Sequence, residues 1–316
     1  MLPVTSTFVY SFQVLACLPV YLTKQRQMEI SNGVKVSMEH TAHPLVAVGP
    51  GLAYGAPIPS GWQPIQTVPL LILVGVTGVG KSTTLEWLQR GKLAFTLLPD
   101  RRDLTDQLII GYLQTLDGLP IQPVTDRRAR FAHTRRYHQL FPGGMSHALR
   151  QLLVDPAQHP GWLLFDGLRG AAEVAHAAQA LPQARFVVLD APDLVRVQRL
   201  LGRSDSFDRI TGGAAANAPA AQHTLAAIGV TDGDTLFTPA EVQTLFQLVV
   251  PPWGTGTVAP ETLRAKLQIV IEERRNYDPQ TARAYLTQQA PHRTLVIDTT
   301  AVSAATAAQR IVDWVL

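Results

Sequence analysis

The sequence predicts an α/β protein: a parallel sheet sandwiched by helices, with a large, mainly helical insertion before the last strand. Three observations predict it. Short apolar runs alternate with helix-forming stretches; a glycine-rich turn joins the first run directly to the first helix; and the segment between the fourth and fifth runs is far too long to be a simple connection.

Residues 1–67 precede the first of these runs. Met1 to Thr23 is uncharged and fairly apolar, and Lys24 and Arg26 follow it. Pro3, Pro19 and the lack of a basic N-terminal region weigh against a membrane or signal segment, while Lys24 and Arg26 keep an anchor as the alternative reading. Met28 and Met38 offer later starts, so the place of residues 1–37 in the mature protein stays open. From His43 to Pro69 the chain is rich in Pro and Gly, which predicts an irregular arm, with Trp62 placed to pin it to the core. An apolar fraction of 46% against 16% charged residues argues for a sizeable core and against disorder. A net charge of +3 favours a soluble enzyme over a nucleic-acid binder. Cys17, the sole cysteine, has no internal disulfide partner, which fits a reducing, cytoplasmic setting.

The core spans residues 68–203 and 291–316. Leu70–Val74, bounded by Pro69 and Gly75, has the length of a buried parallel strand. Gly75, four residues, then Gly80, Lys81 and Ser82 match G-x-x-x-x-G-K-[ST] in full, and a helix follows. Strand, turn and helix in that order make a P-loop, where backbone N–H groups meet phosphate oxygens at the positive end of a helix. Gly75, Val76, Thr77, Gly78, Val79, Gly80, Lys81, Ser82 and Thr83 are the candidate nucleotide-binding residues. Lys81 supplies a charge to the β and γ phosphates and Ser82 a hydroxyl to Mg²⁺, so ATP with Mg²⁺ is the expected ligand.

A second strand over Leu93–Leu98 ends at Pro99, Asp100, Arg101 and Arg102. In open α/β sheets ligands sit beyond the carboxyl ends of strands, so Asp100 is a candidate base for an acceptor hydroxyl and Arg101 or Arg102 a candidate anion holder. A solvated turn is the competing reading. A helix is expected over Leu104–Leu116. The segment Asp126–Leu140 carries Arg127, Arg128, Arg130, Arg135 and Arg136; on a helix Arg128 and Arg135 share a face suited to clamping a phosphate or carboxylate, unless that face is simply solvated. A further helix is expected from about Met145 to Val154.

A third strand, Trp162–Phe165, ends at Asp166, the position from which an aspartate partners Mg²⁺ in P-loop proteins. Gly167 follows it, where many motor ATPases have a second acid to activate water. After a fourth strand, Arg185–Leu189, Arg196, Arg199 and Arg203 recur at helical spacing and can project toward a shared anion. A final strand, Arg293–Ile297, and a helix from Ala304 close the chain. Residues 204–290 form the insertion, with helices expected around Ala240–Leu248 and Pro260–Arg275 and a polar string from Glu272 to Asp278.

Four places together resemble the P-loop nucleoside and nucleotide kinases, adenylate-kinase-like in the wide sense: GVTGVGKST at Gly75, DGLR at Asp166, APDLVRVQRLLGR ending at Arg203, and TLVIDTT at Thr294. The resemblance implies that Arg199 and Arg203 open a lid and address the nucleotide and the transferred phosphoryl group, which places them with Lys81 and Asp166 as catalytic candidates. DGLR is one residue shorter than the family's Asp-Gly-x-x-Arg. Two functions are expected from it: a kinase moving the ATP γ-phosphoryl group to a small-molecule acceptor, or a nucleotide-gated regulatory or assembly NTPase. Neither Asn-Lys-x-Asp nor an LSGGQ-type signature is present.

Overall fold

A computed structural model of the chain describes residues 44–202, 224–231, 233 and 236–316. The expectations for residues 1–43 and for Arg203 lie outside them. Five strands form the parallel sheet: β4 (Leu70–Val74), β5 (Phe95–Leu97), β7 (Trp162–Leu168), β8 (Ala184–Asp190) and β9 (Thr294–Asp298), in the order β5-β7-β4-β8-β9. The strand that feeds the P-loop is therefore the central one, and all five of its residues are buried. Alternation divides them between the two faces. Leu70, Ile72 and Val74 join the core under α5 (Gly144–Arg150), α6 (Ala171–Ala180) and α10 (Pro279–Gln289); Leu71 and Leu73 join the core under α1 (Lys81–Gln89) and α11 (Ala304–Val315). Helices thus cover both faces, as expected.

The segment read as an irregular arm is instead structured. It supplies β1 (Val46–Gly49), β2 (Leu52–Tyr54) and β3 (Gln63–Pro64) to a second, antiparallel sheet of order β1-β2-β6-β3. Its remaining strand, β6 (Leu152–Val154), was expected to be the end of a helix. That helix stops at Arg150, and the fully buried Leu152, Leu153 and Val154 pair with both β2 and β3. Pro64 is tolerated because β3 is an edge strand.

After β5 runs a helical stretch that begins earlier than expected: α2 (Arg101–Leu104), a π-helical segment at Thr105–Ile110 and α3 (Gly111–Leu116). The basic segment forms α4 (Arg127–Leu140). α7 (Asp193–Leu201) packs with α8 (Pro239–Gln247) and α9 (Pro260–Asn276) of the insertion around a separate small core that includes Val197, Leu200, Phe246 and Leu267. Among the described residues no helix is long and apolar enough to cross a membrane.

One consequence for stability is local to α5. His147 stacks on Phe141 with ring centroids 4.1 Å apart, and its Nδ1 lies 3.0 Å from the Tyr137 hydroxyl. Burial, helped by His176 and Arg150, pushes its pKa down to about 4. The unfolded chain, with an ordinary histidine near 6.5, binds the proton first, so stability is lost as pH falls from about 6.5 toward about 4. Thermal midpoints measured across that window are expected to fall with pH, and His147→Gln to flatten the slope.

Candidate active site

The P-loop leaves β4 at Gly75, whose N–H donates to the Leu168 carbonyl at 3.0 Å, and enters α1 at Lys81. Gly78 has φ +87°, and a Cβ there would come within 3.1 Å of the Arg196 backbone, so neither the turn nor the approach of α7 admits a side chain. Lys81 Nζ donates to the Gly75 carbonyl at 2.8 Å and the Val76 carbonyl at 3.3 Å.

Asp166 reaches the same place by a different device. Ile72 pairs with Phe165 and Val74 with Leu168, so Asp166 and Gly167 of β7 lie opposite the lone Leu73 of β4. Such a bulge re-aims side chains, and Gly167 fits it because a Cβ would strike the Phe165 ring. Asp166 Oδ1 stands 3.8 Å from Lys81 Nζ, a Coulombic contact and not a hydrogen bond. Burial holds the Lys81 ammonium below the ordinary lysine range, with Asp166 opposing and Arg169 adding to the effect. Burial likewise holds Asp166 above the usual carboxylate range, against the pull of Lys81 and Arg169. Asp166 Oδ1 is buried with no hydrogen-bond partner. An orphaned carboxylate oxygen of this kind suits a divalent cation, and the exposed Ser82 lines the same cavity, so the two residues fit Mg²⁺.

The insertion enters the site through Glu273, which sequence reasoning did not single out. Its carboxylate accepts from the Thr77 N–H at 2.9 Å, the Thr77 hydroxyl at 2.6 Å, Arg169 at 2.7 Å and Arg196 at 2.5 Å. Arg196 is fully buried; it also donates to the Thr77 carbonyl at 2.8 Å and to Asp193 at 2.6 Å. The shared anion expected for the α7 arginines is thus, for Arg196, protein carboxylate. Arg199 turns elsewhere, donating to the Thr299 hydroxyl and carbonyl at 2.9 and 2.8 Å and to the Gly78 carbonyl at 3.3 Å. It braces the P-loop against the end of β9.

Also lining the cavity, Asp100 is the N-cap of α2, its Oδ1 accepting from the N–H groups of Arg102 and Asp103. Arg101 does not project into solvent as an anion holder. It forms a two-bond pair with Glu173 of α6 and donates to the Gly167 carbonyl at 2.5 Å. On α4, Arg130 pairs with Asp106 and Arg136 with Asp117. Arg135 is exposed and lines the cavity beside Phe131, Thr134 and His138; the Arg128 side chain lies outside the described residues. The cavity, about 1370 Å³, runs from the P-loop past Asp166 to this face of α4, and residues Glu272 to Asp278 of the insertion line it.

No protein-family model and no curated protein matches the sequence. Among solved structures, the chain is similar to a shikimate kinase from Acinetobacter baumannii in complex with shikimate (17% identity, 79% of this chain and 94% of that one, TM-score 0.32). It is also similar to a sugar kinase from Janibacter sp. HTCC2649 (15%, 72% and 99%, 0.25) and to a gluconokinase from Sinorhizobium meliloti 1021 (16%, 66% and 94%, 0.21). Scores at this level mark partial likeness, and the substrates in those names belong to those proteins.

Proposed function

We propose that the chain is a P-loop kinase that transfers the γ-phosphoryl group of ATP, with Mg²⁺, to a small acceptor carrying a phosphate or carboxylate. The observation that supports this reading best is the single cavity joining the P-loop and Asp166 to Asp100 and the exposed Arg135. A hydrolase needs room for water alone; a site with a basic far wall has room for a second substrate. Gly167, where a water-activating acid would stand, points the same way.

In this reading the P-loop N–H groups and Lys81 hold the phosphates, and Asp166 with Ser82 would hold Mg²⁺, which would supply charge neutralisation for phosphoryl transfer. Asp100 keeps its second oxygen for the acceptor hydroxyl proton, since both capping bonds use Oδ1. Arg135 orients the acceptor anion. The insertion, up to the end of α9, faces the substrate, and the cavity-lining string from Glu272 to Asp278 supports that role, while α10 belongs to the main core. A second reading, a nucleotide-gated regulatory NTPase, is favoured by the bonds between Glu273 and the P-loop, which tie nucleotide site to insertion.

ATP consumption across a panel of phosphorylated and carboxylated small alcohols tests the choice. A kinase gives acceptor-stimulated turnover that Asp166→Asn lowers much more than it lowers metal-free nucleotide binding. Arg135→Ala raises the acceptor KM and leaves ATP affinity unchanged. A panel without any stimulation, in a chain that binds ATP, overturns the kinase.

A further inference from the structure

Glu273 accepts hydrogen bonds from within the P-loop motif. Consecutive backbone N–H groups of such a loop face the anion, and Thr77, inside the motif, gives its N–H to Glu273 Oε2 at 2.9 Å. Arg169 and Arg196 complete the donor set around the same carboxylate, at 2.7 and 2.5 Å. One N–H and two guanidinium groups converging on oxygens is the recognition pattern of a phosphoryl group as much as of a carboxylate. The Thr77 N–H has a single hydrogen, so an incoming phosphate oxygen that takes it must displace Glu273 Oε2.

Two further observations fit exchange of one anion for another. Arg169 Nε is buried without a hydrogen-bond partner, so this guanidinium has bonding capacity that Glu273 leaves unused. The carboxylate is also carried by the last turn of α9, where Arg274 Nε donates to Asp193 Oδ2 at 2.7 Å and Asp193 Oδ1 in turn holds Arg196. Displacement at Thr77 is therefore felt at once by the insertion and by α7.

We propose that Glu273 is an internal anion that competes with the nucleotide's phosphates for Thr77 and Arg169, so that loading the P-loop and releasing the end of α9 are one coupled equilibrium. The proposal rests on the P-loop being a nucleotide site and holds for a kinase and for a regulatory NTPase alike. Removing the competitor strengthens binding of the phosphate ligand, and by reciprocity the ligand loosens the segment that carries the competitor.

The test uses the full chain, a non-hydrolysable ATP analogue with Mg²⁺, calorimetry for affinity and amide hydrogen exchange across residues 269–277. In the wild type, the analogue is expected to speed exchange in that segment. Glu273→Gln is expected to bind the analogue tighter by roughly tenfold, within the usual span of coupling between two sites, and its exchange no longer responds. Because Glu273→Gln removes the counter-charge of Arg169 and leaves the buried Arg196 with Asp193 alone, Thr77→Val serves as a second variant. It deletes only the hydroxyl bond to Oε1 and is expected to tighten binding in the same direction by less. Slower exchange on binding in the wild type, or affinity unchanged or weakened in both variants while the wild type binds, overturns the latch and leaves the P-loop reading standing. If Glu273→Gln gains binding that the wild type lacks, the latch is supported in its strongest form. If none of the three chains binds, the nucleotide reading falls and the latch with it.

Discussion

Lys81→Ala is expected to lower nucleotide-dependent turnover on the order of 10²–10³-fold, the cost of removing one preorganised charge from developing phosphoryl charge. Its effect on stability runs the other way from most buried substitutions. The Lys81 side chain is only 10% exposed. Burial already disfavours its charged form, which offsets the loss of its two hydrogen bonds to the Gly75 and Val76 carbonyls. Urea melts of the variant are thus expected to stay close to wild type while calorimetry with Mg²⁺-ATP loses its signal. Unchanged ATP affinity would remove the P-loop from the site.

Arg101→Ala is expected to do the opposite, costing about 3–5 kcal/mol of stability by leaving a buried carboxylate without its partner. Glu173 is 2% exposed. Burial opposes its ionised form, and the charge and hydrogen bonds of Arg101 outweigh that and hold its carboxyl below the usual range. The pair fastens α2 to α6, and the bond from Arg101 to the Gly167 carbonyl fastens both to the bulge that aims Asp166. In urea denaturation, Arg101→Ala with Glu173→Gln is expected to recover part of the loss, because the double variant buries no unpaired charge. A loss below about 1 kcal/mol, with acceptor KM raised instead, would return Arg101 to the role of substrate residue.

What the sequence made legible was local. Leu70–Val74 and the P-loop are contiguous, and so are the apolar runs of β7, β8 and β9; each announces itself without knowledge of its neighbours. The antiparallel sheet did not. Its strands are two to four residues long, sit among prolines, and reach significance only when Leu152–Val154 meets β2 and β3 from roughly a hundred residues away. The early start of α2 was readable in principle, since Asp100 caps it in the usual Asx manner. The assignment of Asp100 to chemistry hid that signal. Glu173 and Glu273 were not readable, because an acid on a helix gains its meaning from the arginine it meets. Arg196 and Arg199, three residues apart on one helix, likewise went to different partners because Glu273 and Thr299 reach α7 from different elements, the insertion and the end of β9.

Thr77 and Glu273 lie 196 residues apart in sequence. At a synthesis rate of about 5–20 residues per second, roughly 10–40 s separate the appearance of the loop from the appearance of its carboxylate. During that interval the donors of the P-loop have no Glu273 to satisfy them. If the P-loop is the nucleotide site proposed above, a ligand that binds in this interval stabilises the growing core by mass action, and the carboxylate arrives as the second claimant to its place.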